Sequence, residues 1–101
     1  MAIGVVMEFT GATLDQYDQV IEKMGLVRGG AMPDGGVSHW VCATDGGIRV
    51  TDVWETREQF ETFAQEQIGP CTQEVGIPGP PEISFREAHN YLLAVPSAVR
   101  A

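Results

Sequence analysis

At 101 residues, 44% of them apolar, the chain has material for one hydrophobic core and no room for a second. Fourteen acidic against six basic side chains give a formal charge of −8, which repels phosphate backbones and anionic bilayers and argues against nucleic acid and membranes as partners. The apolar runs fall well short of the ~20 residues a membrane helix needs, the opening Met-Ala-Ile-Gly-Val-Val-Met run lacks the basic flank of a signal peptide, and Cys42 and Cys71 fit neither zinc nor redox-pair spacing; a cytoplasmic protein with two free thiols is expected.

Ile3 to Phe9 alternates as a strand, with Ile3, Val5, Met7 and Phe9 on one face. Gly11 breaks it, and Thr13-x-x-Gln16 has the capping-box spacing that opens a helix. Leu14, Tyr17, Ile21 and Met24 recur at helical spacing, Asp15, Asp18, Glu22 and Lys23 form the wet face, and Gly25 is a natural stop. Gly25 to Gly36 holds five glycines and a proline without periodicity, and reads as a long loop of the kind that forms lids.

Val37 to Thr44 and Ile48 to Trp54 follow as two strands around Asp45-Gly46-Gly47, a hairpin signal that favours a type I′ turn. Thr56-x-x-Gln59 opens a second helix with Phe60, Phe63 and Ala64 as its apolar stripe, predicted to stop near Gly69-Pro70, with one further turn around Thr72 to Val75. Pro78-Gly79-Pro80-Pro81 forces an extended entry into a last strand, Ile83 to Leu92, and residues 95–101 read as a tail.

The two helix starts align at an offset of 43 residues, Thr13 with Thr56, Gln16 with Gln59 and Tyr17 with Phe60. Two copies of one unit give an α+β domain over 1–101 of ferredoxin-like order βαββαβ, a four-stranded antiparallel sheet with both helices on one face. The other face is not polar enough for water: Trp40 and Cys42 oppose Val37 and Val41, and Val6 opposes Val5. With no further helix to cover it, a sheet-to-sheet homodimer closing into an α/β barrel is expected.

The hairpin also carries a chemical expectation. A two-residue turn sets odd positions of its first strand beside even positions of the second, so His39 shares a face with Asp52 and Trp54, next to Val41 and Val50. Asp52 sits in an apolar strand, where an unpaired carboxylate is costly. Paired with His39 it fixes the imidazole tautomer and raises its basicity, making His39 a candidate general base. The competing reading is a buried pair that merely satisfies itself. His89, the only other histidine, would form a two-histidine, one-carboxylate metal site if it approached His39 and Asp52, but nothing in the spacing demands it, so no metal is expected.

The opening strand Ile3-Gly4-Val5-Val6-Met7-Glu8-Phe9, and the run Arg49-Val50-Thr51-Asp52-Val53-Trp54-Glu55-Thr56-Arg57-Glu58-Gln59-Phe60, where a strand ends in Trp and enters a capped helix, resemble the dimeric α/β-barrel superfamily and its antibiotic biosynthesis monooxygenase-like branch. That superfamily hosts oxygenases, haem-degrading enzymes, isomerases and cyclases, so the fold does not select among them. The cofactor-free oxygenases in it act on phenolic or enolic polycyclic substrates. The resemblance therefore implies an oxygenase with no cofactor, with His39 as base, Trp54 and Trp40 as aromatic walls, and Arg86, His89, Asn90 and Tyr91 as substrate contacts. A small aromatic molecule would occupy a pocket between sheet and helices, roofed by the Gly25–Gly36 loop. Proton-transfer isomerisation or cyclisation on the same base, and a non-catalytic ligand-binding or structural dimer, are the alternatives.

Overall fold

The computed structural model describes residues 1–94; the expected tail at 95–101 lies outside the described residues. Its elements are β1 (Ile3–Thr10), α1 (Leu14–Lys23), β2 (Gly36–Thr44), β3 (Gly47–Trp54), α2 (Arg57–Phe63), a π-helical turn (Ala64–Ile68), α3 (Gly69–Val75) and β4 (Glu82–Glu87). The strands form one antiparallel sheet in the order β2-β3-β1-β4, so the expected βαββαβ arrangement is borne out. One face of the sheet supplies Val5, Met7, Phe9, Ile48, Val50 and Trp54 to the core, and Val20, Phe60 and Cys71 close it from the helices.

Both helix starts form as the Thr-x-x-Gln spacing predicts, with one difference. Around Thr13 the capping box is complete: its hydroxyl accepts from Gln16 N, and Gln16 Oε1 accepts from Thr13 N. At Thr56 the hydroxyl accepts from Gln59 N but donates to Gln59 Oε1, so the Gln side chain caps the hydroxyl instead of the backbone. Gly25, at φ +75°, ends α1 in a Schellman motif, with Gly25 N donating to Glu22 O and Leu26 N to Ile21 O. The buried stripe of α1 runs through Val20, flanked by Tyr17 and Met24, while Leu14 is exposed.

Three local expectations are corrected. The hairpin has the two-residue turn Asp45-Gly46, with Thr44 opposite Gly47, but neither residue takes a positive φ, so it is not type I′. The Gly46 carbonyl instead accepts from Gly11 N at 2.7 Å, tying the turn to the end of β1. Gly47 is demanded by that approach, since a Cβ there would lie 2.0 Å from Phe9 O.

The second helical segment does not stop at Gly69-Pro70. It continues to Val75 and ends at Gly76 in the left-handed conformation. Proline lacks an N–H and crowds the preceding turn; here the π-helical turn immediately before it widens the helix, and Pro70 sits in the first turn of α3, where its missing donor costs nothing.

The last strand is shorter than Ile83 to Leu92. Glu87 already pairs with Ile3, the first residue of β1, and beyond it Ala2 O accepts from Ala88 N. With no partner strand left, the ladder stops at Glu87 despite the alternation that follows.

Candidate functional site

The register places His39 directly opposite Asp52, and Asp52 opposite Val5, across β2, β3 and β1. The parity expected from the hairpin therefore holds, with a bulge confined to Gly36–Ser38, before His39. His39 Nδ1 lies 2.6 Å from Asp52 Oδ1, and the Trp54 indole N–H donates to Asp52 Oδ2 at 3.0 Å. Asp52 is 4% exposed, and these two donors satisfy both carboxylate oxygens. A carboxylate can only accept, so the imidazole carries a proton on Nδ1, and in this neutral tautomer Nε2 is left as an acceptor.

Tyr17, reaching down from α1, hydrogen-bonds His39 Nε2 through its hydroxyl, and the two rings lie nearly parallel, 9° apart. The result is a continuous polar chain, Tyr17–His39–Asp52–Trp54, drawn from three elements. Trp54 anchors it: its ring is sealed against Phe60 and Phe63 at centroid distances of 5.7 and 5.2 Å. Among the described residues no buried side-chain nitrogen or oxygen lacks a partner.

Burial, reinforced by the charges of Asp52 and Asp18, pushes the Tyr17 phenol up from 10.0 to about 12. The unfolded chain then releases this proton before the folded one does. Stability from the neutral phenol is complete below pH 10.0 and is lost as pH rises toward about 12. In urea titrations over that window, the wild-type chain is expected to lose stability more steeply than Tyr17→Phe; superimposable curves would mean that the phenol is not held neutral by the fold.

The other residues expected at the site fall elsewhere. Trp40 neighbours His39 in β2, so the strand pleat turns it to the opposite face of the sheet, where it is 58% exposed. Arg86 lies on β4, the sheet edge opposite β2, and is exposed. His89, Asn90 and Tyr91 follow the end of that strand and are exposed as well. Three strand spacings, about 14 Å, separate the two edges. Among the described residues no three His, Cys, Asp or Glu side chains gather to hold a metal, and none of the described helices is long and apolar enough to cross a membrane.

Residues of the Gly25–Gly36 loop line a surface groove of about 520 Å³, which contains no member of the polar chain. Met24, Leu26, Pro33 and Phe63 give it an apolar lining, and Glu58 and Glu66 stand among its polar residues. The groove and the polar chain share a wall, because Phe63 lines the one and packs on Trp54 of the other.

Tyr17 is the member of the chain that sequence reasoning missed. Its place on the apolar stripe of α1 marked it as core. Only the packing of that helix over β2 reveals that its hydroxyl meets the histidine.

No protein-family model matches this sequence, and no curated protein matches it. Solved structures do. ActVA-Orf6 of Streptomyces coelicolor, a monooxygenase determined with nanaomycin D, is 21% identical over 93% of this chain and 92% of its own, with a TM-score of 0.56. SnoaB of Streptomyces nogalater, a cofactor-independent oxygenase, is 17% identical over 90% of this chain and 95% of its own, at 0.57. A protein of Deinococcus radiodurans assigned to the antibiotic biosynthesis monooxygenases is 14% identical over 95% of this chain and 100% of its own, at 0.59. The chain thus has the fold shared by the antibiotic biosynthesis monooxygenase-like proteins.

Proposed function

We propose that the protein is a cofactor-independent oxygenase that takes a proton from a small phenolic or enolic substrate and lets the resulting anion react with dioxygen. The observation that carries this reading is the buried Asp52 carboxylate, which fixes His39 with its proton on Nδ1 and its basic nitrogen on the Tyr17 hydroxyl. A base held in one tautomer by a buried acid is suited to abstracting a proton; the imidazolium it forms rests against the same carboxylate. The substrate end of the site is the Tyr17–His39 end, because His39 remains a quarter exposed while Asp52 and Trp54 are sealed.

In the overall reaction the substrate supplies the electrons. One oxygen atom becomes a new ring carbonyl and the other leaves as water, which takes up the hydroxyl hydrogen and the ring hydrogen that are lost. SnoaB, which shares the fold, is a cofactor-independent oxygenase, and this supports assigning the same class here. The uncovered sheet face carries Trp40 with the half-buried Val6 and Val53, and a second copy seated there completes the reading as a cytoplasmic homodimer. Trp40, Arg86, His89, Asn90 and Tyr91, expected from the sequence as substrate contacts, stand apart from the polar chain, and the proposed step does not need them.

The test is dioxygen uptake with anthrone, an enolisable tricyclic ketone, with no added flavin, haem or metal. The wild-type chain is expected to consume dioxygen, and His39→Gln to lose about 100-fold or more of the rate while keeping its circular dichroism spectrum. Proton abstraction from anthrone under argon with no dioxygen uptake in air would move the assignment to a proton-transfer isomerase or cyclase. Equal activity of wild type and His39→Gln would leave His39 a purely structural residue.

A further inference from the structure

We propose that Tyr17 is the group that meets the substrate, so that Tyr17, His39 and Asp52 act as a proton relay rather than His39 acting alone. This rests on the base reading above and names the atom through which that base works. Asp52 has no free oxygen, since His39 takes one and Trp54 the other. His39 has no free nitrogen, since Nδ1 is on Asp52 and Nε2 is on the Tyr17 hydroxyl. The exposed quarter of the imidazole therefore offers a substrate no basic atom. Tyr17 differs: a hydroxyl donates once and accepts twice, so while it donates to Nε2 its oxygen can still accept.

The step balances without any change of electron count. The substrate's acidic O–H or C–H bond breaks and its proton bonds to the Tyr17 oxygen. At the same time the Tyr17 O–H bond breaks and that proton bonds to His39 Nε2. The products are the substrate anion and an imidazolium against Asp52, and Tyr17 is neutral before and after. A free tyrosinate is never required, which matters because burial and the nearby Asp52 and Asp18 hold the phenol at about 12. Asp52 is the positioning residue of the relay, holding the proton on Nδ1 so that Nε2 is the end that accepts.

The experiment follows formation of the coloured anthrone anion by stopped-flow absorbance under argon, with the full chain as wild type, Tyr17→Phe and His39→Gln. The expected result is rapid anion formation by wild type and a loss of about 100-fold in both variants. If Tyr17→Phe is as fast as wild type or faster while His39→Gln is slow, the relay is wrong and the base reading stands. If wild type forms no anion, the base reading fails and the relay with it. A second measurement does not depend on the variant folding: the carbon-bound anthrone proton does not exchange during mixing, so wild-type rates in mixtures of light and heavy water are expected to fall along a straight line with the deuterium fraction, as the Tyr17 hydroxyl proton moves in the same step. Rates independent of the deuterium fraction, with no exchangeable proton in flight, overturn the relay.

Discussion

Trp54→Ala is expected to destabilise the chain by about 3–5 kcal/mol, the range for truncating a buried aromatic residue, which is a large part of the ~5–15 kcal/mol that holds a small domain together. Trp54 is 1% exposed and is among the largest side chains that the core encloses completely. It packs on Phe60 and Phe63, and Phe60 in turn packs edge-on against Phe85, so it joins β3 to the second helical segment and, through Phe60, to β4. Removing it opens a cavity between sheet and helix and strips one donor from the buried Asp52. Trp54→Phe separates the two losses. It keeps most of the apolar contact and removes only the indole N–H, at about 1–3 kcal/mol for the unpaired carboxylate oxygen. Urea unfolding followed by circular dichroism checks both. A loss under about 1 kcal/mol in Trp54→Ala would mean that the ring is not a core element at all.

The sequence made the His39–Asp52 contact legible because a hairpin is a local object. Two strands joined by a two-residue turn leave a single parity, and that parity holds even though the Asp45-Gly46 turn is of another type than expected. What decides the pairing is the number of residues in the turn, not their dihedral angles. Tyr17 was not legible for the opposite reason. It comes from a different element, and the apolar spacing of α1 fixes which stripe faces the sheet but not which sheet residue each side chain lands on. A tyrosine on such a stripe serves the core with its ring and a polar site with its hydroxyl, and the sequence pattern is the same in either case.

The extended helix and the shortened strand share a different cause. Gly69-Pro70 is a local stop signal, overridden by a widened π-helical turn that no composition rule announces. The alternation after Glu87 is a local strand signal, overridden because the paired edge of β1 starts at Ile3, the partner of Glu87. In both cases a neighbour, and not the segment itself, decides the boundary.

Asp52→Asn separates the structural from the chemical meaning of the polar chain. The carboxylate accepts from His39 and from Trp54. An amide has one accepting oxygen, and its NH2 group must then face one of the two donors. If the oxygen stays on the sealed indole of Trp54, the amide N–H2 points at His39 Nδ1 and expels the proton from it. The imidazole moves to the tautomer with its proton on Nε2, Tyr17 becomes the acceptor, and the nitrogen facing Tyr17 can no longer take up a proton. Proton abstraction is then expected to fall by about 10²–10⁴-fold, with a stability loss of only about 1–3 kcal/mol. Nitrogen-15 shifts of the His39 ring report the tautomer directly, and urea unfolding reports the stability. A variant that stays folded, switches its tautomer and keeps its rate would confine Asp52 and His39 to packing; one that switches its tautomer and loses its rate shows that the buried carboxylate works by deciding which nitrogen is free to accept a proton.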